Sequence, residues 1–147
     1  MTTIAWDGRT LAGDTLSTAG AYCRDVDKIW NLGNNVLFGG SGYYQDVVAV
    51  RNWLMDKDPD GQPEVDDSFC AIIVRGGICY RLESALIEMP VKESYHAVGS
   101  GAPFAVVAMF LGKSAEESVE IAAQFDENTG GSITSIAAPA VSRVVKL

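Results

Sequence analysis

The chain has 147 residues, of which 48% are hydrophobic, so it is long enough for one domain with a substantial core and is not expected to be disordered. Its formal net charge of −8 argues against a surface that binds nucleic acid or an anionic membrane. The longest apolar stretch, residues 102–111, is about half as long as a membrane span. No signal-peptide pattern opens the chain. We therefore predict a single cytoplasmic domain over residues 1–147, with no nucleic-acid or membrane partner.

Metal-binding patterns are missing from the sequence. Cys23, Cys70 and Cys79 lie in or beside apolar stretches and form no CxxC motif, and His96 is the only histidine. We interpret the cysteines as buried, reduced thiols and the histidine as a structural residue. No metal site and no cofactor is predicted.

The first half of the chain is predicted to contain two β-hairpins and a helix. Turn dipeptides and apolar alternation locate the strands, and apolar residues on one side locate the helix. The predicted elements are strands at Thr3–Trp6, Thr10–Asp14, Lys28–Asn31 and Val36–Gly39, then a helix at Tyr43–Met55. A polar loop with two prolines follows at residues 56–63.

The second half is predicted to contain a third hairpin, two helices and a last strand. The hairpin runs over residues 69–74 and 78–82. Residues 102–111 predict a buried helix, and the capping-box pattern that begins at Ser114 predicts a second helix to about Phe125. The last strand begins at about Ile133. This order favours an α+β fold in which helices pack on β-sheets.

Thr2 is the first residue with chemical potential. Methionine aminopeptidases generally remove Met1 ahead of a small residue, which would leave a hydroxyl and a free α-amine on Thr2. Such a threonine carries both a nucleophile and its base. An α-amine has a reference pKa of about 7.7–8.0, close to what a general base requires at neutral pH. Many chains without this activity also begin Met-Thr.

A series of features follows Thr2 in a fixed order. They are Asp14, Lys28, the turn Phe38-Gly39-Gly40-Ser41-Gly42, the segment Val98–Phe104 and the segment Phe125–Gly131. Lys28 and Gly42 are 14 residues apart, which matches the lysine-to-glycine step of the proteasome β-subunit family. From Thr2 to about Gly131, the ordered set resembles this family, which includes the bacterial ring protease HslV. The resemblance implies the four-layer αββα sandwich of N-terminal-nucleophile hydrolases.

The resemblance also implies a set of catalytic roles. Thr2 would attack the substrate carbonyl, Lys28 would lower the pKa of the α-amine, and Asp14 would compensate the buried lysine. The N–H of Gly42 would bind the oxyanion, because a residue without Cβ lets the substrate approach closely. The supporting residues would be Ser100, Asp126 and Thr129. The family usually has a serine where Thr129 stands.

A pocket for the substrate side chain before the scissile bond is implied by the same resemblance. Its predicted lining is Ser17, Val26, Trp30, Gly40, Tyr44 and Val48. The bulk of Trp30 and Tyr44 predicts a narrow pocket that prefers small or medium apolar residues over acidic ones.

Each of these features also has a plainer interpretation. The glycines at 39, 40 and 42 form a tight turn in many proteins, and Asp14 with Lys28 fits an ordinary surface ion pair. Residues 99–101 fit the start of a helix with Ser100 near its cap. Asp126 fits a solvated carboxylate at a helix end. The order of the features, rather than any one of them, favours the family.

The leading prediction is a threonine endopeptidase that acts on peptides or unfolded proteins inside stacked six- or seven-membered rings of identical subunits. An ATPase unfoldase is a candidate partner. One helix and a short acidic loop replace two long helices of the family, which weakens the case for that partner, and the chain ends about where later family elements would continue. The alternatives are an amidase for small amides and an inactive ring or scaffold protein, which retention of Met1 would favour.

Overall fold

The computed structural model of the chain describes residues 2–19, 22–56 and 59–139. These residues form eleven strands and three α-helices. The strands are β1 (Ile4–Trp6), β2 (Thr10–Asp14), β3 (Leu16–Ala19), β4 (Tyr22–Asp25), β5 (Ile29–Gly33), β6 (Val36–Ser41), β7 (Cys70–Arg75), β8 (Ile78–Leu82), β9 (Met89–Pro90), β10 (His96–Val98) and β11 (Ile133–Ala137). The helices are α1 (Tyr44–Asp56), α2 (Ala102–Phe110) and α3 (Ala115–Phe125), and a 3-10 turn lies at Pro59–Gly61.

Two antiparallel sheets form the centre of the molecule. The first sheet has the strand order β10-β1-β2-β11, and the second has the order β5-β6-β7-β8-β9. Strands β3 and β4 form a separate two-stranded ribbon. In the first sheet, Ile4 lies opposite Val98 on one side and Gly13 on the other, so β1 occupies a central position.

The sheets and helices form four layers, as predicted. The two sheets pack face to face through large apolar residues, among them Ile4, Leu11 and Ile72. Small residues on the opposite face of the first sheet, such as Ala5 and Ala12, let α2 and α3 pack closely against it. Helix α1 covers the outer face of the second sheet. The order is therefore helix, sheet, sheet, helix pair, which confirms the αββα sandwich.

Within residues 2–19, 22–56 and 59–139, α1 is the one helix of the first helix layer. Among the described residues, the 3-10 turn at Pro59–Gly61 and an irregular segment lie between α1 and β7. Ser114 caps α3 through the predicted capping box, since its hydroxyl accepts from the N–H of Glu117 while the Glu117 carboxylate accepts from the N–H of Ser114. No helix among the residues that the structure describes is long and apolar enough to cross a membrane.

Several elements differ from the sequence prediction. The ribbon β3–β4 and the short strands β9 and β10 were not predicted, and α1 begins one residue later than expected. The ribbon was not predicted because its run of small and polar residues shows no apolar alternation. Met1 and the side chain of Cys23 lie outside the described residues.

Candidate active site

Thr2 lies two residues before β1, at the point where the first sheet meets the segments around residues 100 and 130. It is 2% exposed, and its carbonyl oxygen accepts from the N–H of Gly101 at 3.3 Å. The N–H of Asp14 donates to the carbonyl of Thr3 at 3.3 Å, which extends the pairing of β1 and β2 beyond Ile4. The backbone at Thr2 is thus held on both sides.

The hydroxyl of Thr2 is in contact with two buried charged side chains. Its Oγ1 donates to Asp14 Oδ1 at 2.5 Å, and it is also contacted by the Lys28 ammonium. The Lys28 Nζ lies 3.0 Å from Asp14 Oδ1. Asp14 is 0% and Lys28 5% exposed, so the two do not form the surface pair of the plainer interpretation.

Backbone donors complete the surroundings of the Asp14 carboxylate. Oδ1 accepts from the N–H of Thr3 at 3.1 Å, and Oδ2 accepts from the N–H of Gly130 at 3.0 Å. These bonds satisfy an acceptor that would otherwise be costly to bury. Burial lowers the pKa of Lys28 below its usual value, although the attraction and hydrogen bond of Asp14 oppose the shift. Because its pKa is lowered, Lys28 loses its proton more readily than a surface lysine does.

Ser100, Asp126 and Thr129 form a second hydrogen-bonded cluster behind Thr2. Both hydroxyls donate to Asp126 Oδ2 at 2.6 Å. Ser100 Oγ also lies 3.5 Å from the carbonyl oxygen of Thr2, and Thr129 Oγ1 lies 2.7 Å from Thr3 Oγ1. Partial burial opposes ionisation of Asp126, but hydrogen bonds from Ser100, Thr129 and the Asn128 N–H outweigh it and lower its pKa.

Gly99 and Gly101 allow this cluster to approach the start of β1. A Cβ at Gly99 would lie 2.0 Å from the carbonyl oxygen of Thr2, and a Cβ at Gly101 would lie 1.9 Å from Thr3 Oγ1. Gly99 also has a φ of +99°, a conformation that side chains rarely adopt. Glycine is required at these positions by contact with Thr2 and Thr3 as well as by backbone conformation.

A cavity of about 450 Å³ opens beside Thr2. It lies between the β3 strand, the start of α1 and the turn that precedes β7. Its lining is Thr2, Leu16, Ser17, Thr18, Val26, Lys28, Gly40, Ser41, Gly42, Tyr43, Tyr44, Gln45, Val47, Asp66 and Ser68. Gly42 has a φ of +111° and packs on the backbone of Phe69, so the turn at residues 66–69 fixes this wall.

The architecture matches solved structures over most of the chain. BPH of Thiobacillus denitrificans in complex with epoxomicin aligns with a TM-score of 0.68 and 20% identity, over 92% of this chain and 96% of that one. BPH of the same organism, described without the inhibitor, gives a TM-score of 0.67, 20% identity and the same coverage. HslV of Trypanosoma brucei gives 0.68 and 15% identity, over 92% of this chain and 97% of that one.

The chain has the HslV-like fold. No protein-family model matches its sequence, and no curated protein does. The likeness is therefore one of architecture at low sequence identity, and it agrees with the fold that the order of motifs predicted.

The HslV-like fold brings the predicted catalytic residues to one place. Thr2, Asp14 and Lys28 are in direct contact, Gly42 lines the same cavity, and the cluster of Ser100, Asp126 and Thr129 reaches the backbone of Thr2. These residues come from segments spread over more than 120 positions of the chain, since the bond between Thr3 and Thr129 alone spans 126.

The predicted pocket residues divide into two groups. Ser17, Val26, Gly40 and Tyr44 line the cavity. Trp30 instead stacks on Phe38, with ring centroids 6.1 Å apart, and the Arg51 guanidinium lies 4.9 Å above its ring. Val48 also lies outside the lining, and its neighbour Val47 is part of it.

Other lining residues were not predicted from the sequence. Tyr43 and Gln45 flank predicted positions in the same turn and helix start, so their proximity to Gly42 was a usable signal. Asp66 and Ser68 lie in a polar loop that carries no motif, and only the packing of their turn against Gly42 brings them to the cavity.

The remaining candidate groups lie apart from this cavity. His96 is half-buried with its Nε2 3.2 Å from Arg81 Nη1, and burial and this cation lower its pKa. Cys70 and Cys79 are free thiols, and burial raises the pKa of Cys79 to about 12. No group of three or more His, Cys, Asp and Glu residues in the described ranges is arranged to hold a metal ion.

Proposed function

We propose that the chain is a threonine peptidase of the N-terminal-nucleophile type, with Thr2 as its nucleophile after removal of Met1. The observation that supports this most directly is the contact of Thr2 Oγ1 with both Asp14 and Lys28 in a buried site that opens onto a cavity. A merely structural threonine has no need of a buried lysine with a lowered pKa at its hydroxyl.

In the proposed reaction the Thr2 oxygen adds to the carbonyl carbon of the substrate, and the hydroxyl proton passes to the α-amine of Thr2. The Lys28 cation stabilises negative charge that develops on Oγ1, and the Gly42 N–H binds the carbonyl oxygen as it becomes an oxyanion. The α-ammonium then returns its proton to the departing amine, which leaves an ester on Thr2. Water hydrolyses this ester with the α-amine again acting as base.

The role proposed for the cluster behind Thr2 is to hold the α-amine in position. Asp126 is kept ionised by its hydrogen bonds from Ser100 and Thr129, and an anion near the amine balances the charge that the amine acquires. Thr129 supplies the hydroxyl that a serine would otherwise provide, which supports treating this departure from the family pattern as conservative.

We also propose a homo-oligomer, in keeping with rings of six or seven subunits. Helices α2 and α3 expose Phe104, Val107, Phe110, Leu111 and Phe125, and the rings of Phe104 and Phe125 stack at 5.5 Å. Contiguous apolar residues of this size on a helix pair are typical of a surface that another subunit covers. A cytoplasmic location and peptides or unfolded proteins as substrates complete the proposal, while the single helix of the first layer gives no support to an ATPase partner.

The decisive experiment is the intact mass of the purified protein with and without a peptide epoxyketone such as epoxomicin, with which BPH of Thiobacillus denitrificans forms a complex. The warhead requires both a hydroxyl and a free amine on one N-terminal threonine. We expect a chain without Met1 that gains one inhibitor. The control is Thr2→Ala, which should lose Met1 and gain nothing.

Two results would contradict the peptidase. Retention of Met1 would leave no free amine and would favour an inactive ring protein. A chain that lacks Met1 but takes up no inhibitor would favour the same conclusion, unless small amides are hydrolysed, in which case the amidase would replace the peptidase.

A further inference from the structure

The charge inside the cavity is unevenly distributed. Lys28 and Asp66 are the charged residues among the described lining. The charge of Lys28 is matched by Asp14 at 3.0 Å. Asp66 forms no ion pair among the described residues, so the described part of the lining carries an unbalanced negative charge.

The Asp66 carboxylate is held in place by its own turn. Its Oδ2 accepts from the N–H of Ser68 at 2.9 Å, and its backbone N–H donates to Asp46 Oδ2 at 3.0 Å. Hydrogen bonds from the hydroxyl and the N–H of Ser68 lower the pKa of Asp66, so the side chain is ionised at neutral pH. The carboxylate of Asp46, which accepts from the N–H of Asp66, adds a second negative charge near this turn.

The turn that carries Asp66 is fixed relative to the nucleophile. Gly42 packs directly on the backbone of Phe69 and on the carbonyl of Ser68, with a Cβ at Gly42 placed 3.1 Å from Phe69 Cα. Gly42 and Thr2 line the same cavity. A substrate whose carbonyl lies between Thr2 and Gly42 therefore occupies a cavity whose lining also includes the Asp66 anion.

The apolar part of the lining suits the stem of a long side chain. Leu16, Val26 and Val47 supply apolar surface, and Gly40 has no room for a side chain because its Cβ would lie 2.9 Å from Val47. A lysine or arginine combines an aliphatic stem with a cationic end. An acidic side chain would meet the Asp66 carboxylate as a like charge.

From this geometry we propose that Asp66 is a specificity-determining residue, which makes the cavity prefer substrates with a lysine or arginine next to the scissile bond over uncharged residues of equal length. The proposal rests on the proposed function of Thr2. It keeps the expected discrimination against acidic residues and replaces the expected preference for small or medium apolar ones. Asp66 is exposed to solvent, so the selectivity is several-fold rather than absolute and decreases with salt.

The test compares turnover of three peptides that differ only before the scissile bond, where they carry lysine, norleucine or glutamate. Norleucine has the stem of lysine without the charge. We expect kcat/KM to follow the order lysine, norleucine, glutamate at low salt. In Asp66→Asn the lysine-to-norleucine ratio should fall about 2- to 5-fold. Asp67→Asn, an exposed neighbour outside the lining, removes the same charge and should leave the ratio unchanged.

A binding measurement separates this inference from the proposed reaction. Fluorescently labelled copies of the three peptides are titrated onto Thr2→Ala and onto Thr2→Ala with Asp66→Asn, with anisotropy as the readout. Binding that favours lysine and depends on Asp66, without turnover by the wild type, overturns the peptidase alone. Turnover with a ratio unaffected by Asp66→Asn, or equally lowered by Asp67→Asn, overturns the role of Asp66 alone. Neither turnover nor binding overturns both.

Discussion

Lys28 links the Thr2 hydroxyl to the interior of the protein, because its ammonium contacts this hydroxyl and forms a 3.0 Å ion pair with Asp14. Removing it would leave the Asp14 carboxylate buried without its cation. In the proposed mechanism, removing it would also leave Oγ1 without a positive charge during attack on the substrate. We therefore expect stability and activity to depend on the same side chain.

We expect Lys28→Met, which keeps much of the side-chain volume, to lower kcat by about 10²–10³-fold. The free energy of unfolding should fall by about 3–5 kcal/mol, because one partner of a buried pair is lost. Turnover, the rate of epoxyketone labelling and urea unfolding check these values. Lys113→Met, at a lysine whose side chain is 51% exposed, is the matched control and should change neither. Full labelling of Lys28→Met at the wild-type rate would contradict the role of Lys28.

Asp126 makes the stability of the fold sensitive to acid. Its folded-state pKa lies below the ordinary value of 3.8, so the fold favours the ionised form. This contribution is fully present above the unfolded-state pKa and is lost as the pH falls through the folded-state pKa. We expect the stability difference between the wild type and Asp126→Asn to be constant near neutral pH and to shrink below about pH 4.

Urea midpoints measured from pH 7 to pH 3 test this dependence. Ser100→Ala removes one of the hydrogen bonds to Asp126. At neutral pH, its stability should therefore lie closer to that of Asp126→Asn than the stability of the wild type does. A difference between wild type and Asp126→Asn that does not change with pH would show that ionised Asp126 is not favoured by the fold.

Site residues could be predicted from the sequence where their chemistry and their order along the chain both pointed to a role. They could not be predicted where tertiary packing determines which side chains reach the cavity. Thr2, Asp14 and Lys28 were selected because of their order along the chain, and the structure brings them into contact. Trp30 was expected in the pocket because of its bulk, but its ring stacks on Phe38 beneath Arg51. Asp66 had no local signal, because its position depends on how a loop packs on Gly42.

At the scale of the elements, the segment at residues 99–101 joins β10 to α2 and also contacts Thr2 and Thr3. Two constraints act on Gly99, a positive φ and a lack of space. Gly112, just after α2, has a similar φ of +93° but no neighbouring atom within 4 Å of a Cβ. Substitution of Gly112 therefore tests backbone strain alone, whereas substitution of Gly99 tests backbone strain together with a steric clash.

We expect Gly112→Ala to lower the free energy of unfolding by about 1–2 kcal/mol, the cost of a left-handed residue. Gly99→Ala has the same strain and must also displace the carbonyl of Thr2, so it should be destabilised well beyond that value and lose epoxyketone labelling. Chemical denaturation and intact mass are the measurements. Equal stabilities of the two variants would mean that the segment can move away from Thr2 at little cost.

Most helices and hairpins could be predicted, because turn dipeptides, apolar alternation and the Ser114 capping box are local signals. The pairing of elements could not. Strand β10 has three residues and joins the first sheet beside β1, a partner more than 90 positions earlier. The β3–β4 ribbon has too little apolar alternation to be recognised, although it supplies Ser17 and Thr18 to the cavity.

At the scale of the whole molecule, large apolar side chains of α2 and α3 are exposed to solvent in the isolated chain. Burial against another subunit would account for them. Phe110 is 73% exposed and Leu111 72%. Such residues are stabilised when another subunit covers them. Among the described residues, the opposite outer layer contains one helix, α1, and so presents a different surface.

We expect Phe110→Ser to reduce the assembled mass in solution, because it removes a large apolar side chain from this surface. Light scattering during size-exclusion chromatography measures the mass directly. Ile87→Ser, at a residue 66% exposed between β8 and β9, is a matched apolar control and should keep the wild-type mass. A wild type that elutes as a 15.7 kDa monomer would contradict the oligomer itself.

The hydrogen bond between Thr3 and Thr129 has a consequence for biosynthesis. Until the ribosome has released the segment near residue 129, this bond and the Gly130 donor to Asp14 cannot form. A nascent chain whose leading methionine has already been trimmed therefore exposes a threonine with no organised surroundings. The surroundings of Thr2, which we propose as the nucleophile, are therefore completed only late in the synthesis of the chain.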